Sequence, residues 1–392
     1  MHLSQRAQAL AESATMRVSQ RAGELRAAGH PVVSFGAGEP DFPSPTVAVE
    51  AARQALADGF TNYTPAAGIA DLRAAVADDY RQRHGAPWQA SQTVITVGGK
   101  AALFEIVHCL VDPGDEVIVP SPSWVTFAPQ IQFAGGTTVP VPLSWRDRFR
   151  VHADAVIGAM TDRTRMVLIN APSNPSGGII SAEDLRQIVE ACAERGIALL
   201  SDETYEHFVY DGAVCASAAT LASEFPDTIT LVGSFSKTYS MTGWRVGYGL
   251  GPANLIKKAI AVQSHATSNP TSFAMKGALA ALHGAHADVE TMIATFARRR
   301  TRIVDHLSAI PGINCTPPDG AFYVFPDVSS FYDGDRITGS IDFAEYLLES
   351  AGVALVPGVA FGDDNHVRLS FACSDENIDT GMAKMAEALA KL

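Results

Sequence analysis

At 392 residues the chain has room for roughly two or three domains of about 150 residues each. Its 47% hydrophobic and 18% charged residues are an ordinary globular composition, sufficient for a large core. A net charge of −13 argues against a general nucleic-acid binder or a protein that coats anionic membranes, yet it leaves small acidic substrates open, because a local pocket can be basic on an acidic surface.

The cysteines (Cys109, Cys192, Cys215, Cys315, Cys373) are scattered, odd in number and form no CxxC. They fit reduced thiols in a cytoplasmic protein better than a disulfide framework or a zinc site. No run of about 18 apolar residues occurs, so no membrane span is expected.

The chain opens on "MHLSQRAQALAESATMRVSQRAGEL", which reads as amphipathic helix without the apolar core of a secretory leader. The Gly/Pro-rich "SFGAGEPDFPSP" follows. From about residue 90 to 250, short apolar runs alternate with helical patterns. "TVITV" (93–97) precedes "KAALFEIVHCLV", and "EVIVP" (116–120) precedes a helix expected to open at Trp124. "RMVLIN" (165–170) precedes "SAEDLRQIVEACAERG", where Ser181 is placed to cap the helix and acids fill its first turn. "IALLSDE", "TITLVGS" (228–234) and "WRVGYGL" (from Trp244) complete the set. From about residue 290, "ATFARRRTRIVDHLSAI" is helical, and "AFYVFPD" and "VRLSFA" read as antiparallel strands.

Continuous apolar strands separated by helices predict an α/β fold, with a mainly parallel sheet covered by helices on both faces. This large domain is expected over 46–287. A smaller α+β domain would be built from both chain ends, 1–45 and 288–392. Functional groups should then gather at the carboxyl ends of the strands.

Several residues fall at such ends. Lys237 lies in "LVGSFSKTYSMTGWRVGYGLG" between two apolar runs. Partial desolvation there would lower its pKa and make it a nucleophilic amine. Gly98, Gly99, Lys100 and Ala101 open a helix whose free backbone N–H groups suit an anion. Asp202 and Tyr205 emerge after "IALL", Asn174 follows "RMVLIN", and Trp124 follows "EVIVPSPS". Arg245 and Arg368 suit bidentate pairing with a phosphate and a carboxylate.

Taken singly, each has an ordinary structural reason to be present. Lys237 could be a solvated loop residue, and 98–101 a plain strand-to-helix turn. Asp202 could be a cap, Asn174 a turn former, Tyr205 and Trp124 core packing, and the arginines surface ion pairs. Pyridoxal 5′-phosphate would use all of them at once. Its aldehyde suits Lys237, its ring nitrogen Asp202, its phenolic oxygen Tyr205 and Asn174, and its ring face Trp124. Its phosphate suits the 98–101 turn with Ser234, Ser236 and Arg245.

The motifs "GAGEPDFPSP", "NYTPAAGIADLR", "TVGGKAALFE", "NPSGG", "SDETY", "SFSKTYSMTGWRVGY", "TSNPTS", "GAFYVFP" and "VRLSFA" occur in one order along nearly the whole chain. As an ordered set they resemble the class I/II, fold-type-I pyridoxal-phosphate aminotransferases, and most closely the bacterial aspartate aminotransferase branch. That resemblance implies Lys237 as the Schiff-base lysine that also moves a proton, Asp202 at the ring nitrogen, and Tyr205 and Asn174 at the phenolic oxygen. It implies phosphate contacts from Gly99, Lys100 or Ala101 backbone, Ser234, Ser236 and Arg245. Tyr63 would reach the neighbouring subunit's phosphate, making the protein a homodimer with shared active sites. Arg368 would grip the α-carboxylate in a pocket lined by Gly38, Trp124 and Asn174, with Lys100 and Thr15 serving a distal carboxylate. Ser176 in "NPSGG" and Ser123 in "SPSW" stand where the family has threonine and commonly tyrosine; the second leaves the substrate range open.

The expected activity is amino transfer between L-aspartate and 2-oxoglutarate in a cytoplasmic enzyme, with amino acids and 2-oxo acids as its small-molecule partners and no metal. Prephenate or aromatic amino-acid transfer is the closest rival, ahead of a lyase that uses the same cofactor. Ser234-x-x-Lys237 also fits the SxxK pattern of penicillin-binding proteins, but no SDN or KTG accompanies it. A cofactor-sensing regulator would need an added DNA-binding module, for which the motifs leave no room before residue 34.

Overall fold

The computed structural model describes residues 2–8 and 14–392; side chains at 5, 14–17 and 19 fall outside the description. Its strands are β1 (Val33–Ser34), β2 (Thr93–Thr96), β3 (Glu116–Ser121), β4 (Thr137–Pro142), β5 (Thr164–Asn170), β6 (Ala198–Asp202), β7 (Ile229–Ser234), β8 (Gly247–Leu250), β9 (Tyr323–Val324), β10 (Val353–Ala354), β11 (Val356–Pro357) and β12 (Val367–Ser370). Seven of them form one sheet in the order β2-β8-β7-β6-β5-β3-β4. All its pairings are parallel except those of β8, which opposes both neighbours.

The continuous apolar runs are explained by burial on both faces. Along β5, Val167 and Ile169 join a core on one face, with Ile118, Leu199 and Leu231. Met166 and Leu168 join a second core on the other face, with Val117, Leu200 and Val232. Helices close over each face. One of them, Ala182–Arg195, is capped as expected: Ser181 Oγ accepts the Asp184 N–H at 3.0 Å, and Gly196 ends the helix at φ 65°.

A third core contains Phe35, Phe208, Phe296, Phe322, Leu369 and Met382. It sits with two small sheets, β1-β10 and β11-β12-β9. The expected antiparallel pairing of "AFYVFPD" and "VRLSFA" is present, with Leu369 opposite Val324 and Ser370 opposite Tyr323. The helix His286–Ser308 joins the regions: Val289 packs in the first core, and Met292 and Phe296 in the third.

Two local expectations need correction. The helix after β3 starts at Phe127, so Trp124 stands in the preceding turn; two prolines, Pro120 and Pro122, keep that segment extended. "WRVGYGL" becomes strand only at Gly247, because Thr242–Trp244 is a 3-10 turn and Arg245 takes a left-handed φ of 56°. The expected opening helix is present at Gln5–Gln8 and Ala14–Ala27, and the part of that expectation over 9–13 lies outside the described residues.

Candidate active site

The carboxyl ends of β2, β5, β6 and β7 meet at one edge of the large sheet. They deliver Gly98 and Gly99, Asn170, Asp202 and Ser234 to the same place. Because β8 runs the other way, its first residue, Gly247, lies at that edge opposite Thr96 and Ser234, and brings Arg245 with it. The cavity over this edge, about 240 Å³, is lined by Gly99, Lys100, Leu103, Trp124, Asn170, Asn174, Asp202, Thr204, Tyr205, Ser234, Ser236, Lys237 and Arg245. A second cavity of about 400 Å³ shares Trp124, Asn174, Tyr205 and Lys237 with it, and adds Gly36, Ala37, Gly38, Glu39, Tyr323 and Arg368.

Lys237 is held where the two cavities meet. Its Nζ donates to the Gly38 carbonyl at 2.6 Å. Burial, helped by the Arg245, Arg368 and Lys100 charges and opposed by Glu39, lowers its pKa to about 8. Asp202 is 3% exposed, and burial raises it to about 6. One of its oxygens accepts the Thr204 N–H at 3.1 Å; among the described residues it has no ion-pair partner. A buried carboxylate that lines a cavity and has no ion-pair partner among the described residues calls for a cationic ligand group.

Asn170, which the sequence reading did not single out, ties this region together. Its Nδ2 donates to the Asp202 carbonyl and its Oδ1 accepts the Asn174 N–H, both at 3.0 Å. Arg368 is 2% exposed; it donates to Asn174 Oδ1 at 3.0 Å and to the Gly36 carbonyl at 2.9 Å. Among the described residues its Nε has no partner, so the guanidinium keeps hydrogen-bonding capacity in a buried place.

The anion end is shaped by absent side chains. Gly98 takes φ +80°, and a Cβ there would lie 2.3 Å from Arg245 Nη2; a Cβ on Gly99 would lie 3.3 Å from Ser234 Cβ. The guanidinium, the serines and the start of helix Gly99–Leu110 thus converge on one hollow. The amides of Gly99 and Lys100 head that helix without partners in it. The Ala101 N–H bonds the Gly98 carbonyl at 3.0 Å. Ser234 Oγ donates to Ser236 Oγ at 2.9 Å, which holds the hydroxyls side by side. A phosphate monoester attached to a flat ring fits this arrangement, in which an anion cradle, an amine, a carboxylate and an indole share one lining.

A family model described as "Aminotransferase class I and II" matches residues 30–385. The chain is 42% identical over 392 residues to the "Probable aspartate/prephenate aminotransferase" of Aquifex aeolicus, covering 100% of this chain and 99% of that protein. It is 42% identical to the "Aspartate aminotransferase" of Streptomyces avermitilis, covering 99% and 97%. The solved structure of the Thermus thermophilus aspartate aminotransferase with maleate superposes with a TM-score of 0.94 at 39% identity, covering 99% of this chain and 100% of that one. The chain belongs to the class I and II aminotransferases.

The aminotransferase family uses pyridoxal phosphate. In this aminotransferase the residues expected to meet such a ligand surround one space, save for a few. Tyr63 lines neither cavity and is 89% exposed. Thr15 has its backbone in helix Ala14–Ala27, but its side chain lies outside the described residues. Lys100 lines the first cavity with its Nζ 4.9 Å from the Trp124 ring centroid. Besides Asn170, the sequence reading passed over Thr204, Glu39 and Tyr323. Tyr323 had a visible signal, since it stands inside the quoted "GAFYVFP" on the strand expected to pair with that of Arg368.

Proposed function

We propose that this aminotransferase binds pyridoxal 5′-phosphate and transfers the amino group of L-aspartate to 2-oxoglutarate in a ping-pong cycle. The observation that carries the cofactor reading is the set of Lys237, Asp202, Arg245 and the Gly99 helix start around a single cavity. Bound there, the cofactor supplies an aldehyde for amine exchange and a cationic ring that takes up the electron pair left at the substrate Cα.

The chain's own residues do the rest. Asp202, buried and otherwise without a cation, keeps the ring nitrogen protonated. Tyr205 and Asn174 hold the phenolic oxygen. Gly99, Lys100, Ser234, Ser236 and Arg245 fix the phosphate. Trp124 covers the ring face. Arg368 receives the α-carboxylate by bidentate pairing, beside Gly38. Lys237, with its pKa of about 8, would be the base suited to removing the proton at the substrate Cα near neutral pH.

Support for a dicarboxylic substrate comes from Lys100, a cation in the cavity lining with no carboxylate partner among the described residues, and from the names of the relatives. Maleate, found with the Thermus thermophilus protein, is itself a dicarboxylate. Prephenate, also dicarboxylic, is the second reading, favoured by the Aquifex relative's name. We further propose a cytoplasmic homodimer in which exposed Tyr63 reaches the partner's phosphate site, Thr15 approaches the distal carboxylate, and the chain divides into 46–287 and 1–45 with 288–392. The described cysteines are all free, and no described helix is long and apolar enough to cross a membrane.

The test is a half-reaction: single amino acids are added to the cofactor-loaded protein while its near-visible band is followed. Aspartate and glutamate should bleach it fastest, and prephenate is the next acceptor to try. Faster bleaching by aromatic or small neutral amino acids would overturn the dicarboxylate preference. Pyruvate released without an acceptor would point to a lyase, and no bleaching by any amino acid to a sensor.

A further inference from the structure

Tyr323 is fully buried, and its hydroxyl lies 2.8 Å from that of Tyr205. The two rings meet edge to face, with centroids 5.8 Å apart. Either oxygen can be the donor in that bond. The surroundings decide which. A buried O–H must find an acceptor, and among the described residues the Tyr323 hydroxyl bonds only to Tyr205.

Its other neighbours offer nothing better. Arg368 lies over its ring face, with Cζ 4.5 Å from the centroid, and carries donors only. Gly38 comes close enough that a Cβ there would sit 3.3 Å from the Tyr323 oxygen, but its carbonyl bonds Lys237 Nζ and not the Tyr323 hydroxyl. Tyr323 lines only the second cavity, on the Arg368 side, whereas Tyr205 also lines the first, the one read above as the cofactor's, and there has somewhere else to send its own proton.

We propose that Tyr323 is a positioning residue that donates its hydroxyl proton to Tyr205, leaving Tyr205's own proton to point into the cavity at the cofactor's phenolic oxygen. The inference rests on the cofactor reading above. A chain of hydrogen bonds polarises each member, so a Tyr205 that accepts from Tyr323 is a stronger donor. A stronger donor draws charge from the phenolic oxygen. The proton shared between that oxygen and Lys237 Nζ then leaves at lower pH. Tyr323 also stands opposite Ser370 on the strand that carries Arg368, so the residue that would grip the substrate and the residue that tunes the phenol rest on the same ring.

The experiment is a pH titration of the near-visible band in protein loaded with pyridoxal phosphate, for wild type, Tyr323→Phe, Tyr205→Phe and the double variant. Tyr323→Phe deletes one oxygen and keeps the ring beneath Arg368. Its midpoint should rise by about 0.1–0.7 pH units, the share of a charge-assisted bond that chain polarisation supplies. Tyr205→Phe should shift the midpoint further upward, and adding Tyr323→Phe to it should change nothing, because the effect travels through Tyr205. A Tyr323→Phe midpoint equal to wild type overturns the inference, as does a shift that persists in the Tyr205→Phe background. A wild-type protein that forms no near-visible band with pyridoxal phosphate overturns the cofactor reading, and this inference with it.

Discussion

Replacing Gly247 with alanine tests the anion cradle through its backbone. Gly247 pairs with Thr96 on one side and Ser234 on the other. A Cβ there would lie 2.2 Å from Gly99 N and 2.4 Å from Gly98 C. Both are backbone atoms and cannot swing aside, so the 98–100 turn must retreat by on the order of 1 Å to restore ordinary contact. That takes the Gly99 and Lys100 amides out of line with a bound phosphate. Losing one charge-assisted bond of about 1.5–3 kcal/mol weakens binding by roughly 10- to 150-fold. Overpacking adds a loss of about 1–3 kcal/mol in stability, read as a lower melting temperature.

Gly249→Ala is the control. Its nearest neighbours are the Ile106 and Val94 side-chain methyls at 3.3 and 3.4 Å, which can adjust. The assay is the quenching of tryptophan fluorescence by pyridoxal phosphate and, separately, by pyridoxal. Gly247→Ala should weaken the phosphorylated ligand selectively, and Gly249→Ala should leave the ratio alone. Equal weakening of both ligands by Gly247→Ala would mean general damage and refute the argument.

Other expectations follow from the same site. In cofactor-free protein, reductive trapping of Lys237 by a small aldehyde should climb severalfold between pH 7 and pH 8 and level off soon above, because burial holds the amine at about 8; a rate still climbing at pH 10 contradicts that. Asp202→Asn should weaken cofactor binding yet raise the melting temperature of the cofactor-free protein at pH 7.5. The folded carboxyl, raised from 3.8 to about 6 by burial, binds more protons than the unfolded one between those values, so stability falls as pH rises through that window and the deficit is complete above it. The gain should shrink toward pH 4, and a gain independent of pH would count against the burial effect. Lys100→Ala should slow aspartate far more than alanine or phenylalanine as amino donor in stopped-flow half-reactions; an equal loss for all would remove the basis for the dicarboxylate preference.

Short-range patterns in the sequence determined much of this protein. Apolar runs buried on both faces announced β3, β5, β6 and β7, and Ser181 with its acidic first turn announced a helix start. Both are local matters, decided by which side chains recur at which period and by which residues satisfy a free N–H. The residue types at the strand ends, Lys237, Asp202, Asn174 and Arg245, were equally legible, because the parallel topology gathers strand ends at one edge.

What the tertiary structure alone decided is how these groups meet. The reversal of β8 against its neighbours brings Arg245 over Gly98, 147 positions away in a sequence that carries no periodic signal of the contact. The bond from Lys237 to Gly38, the bridge of Asn170 between Asp202 and Asn174, and the pairing of Tyr323 with Tyr205 likewise depend on packing. A side chain's propensity reports on its own few neighbours along the chain. The partner of a buried polar group is set by whichever distant segment the core brings within 3 Å or so of it, and only the folded chain contains that information.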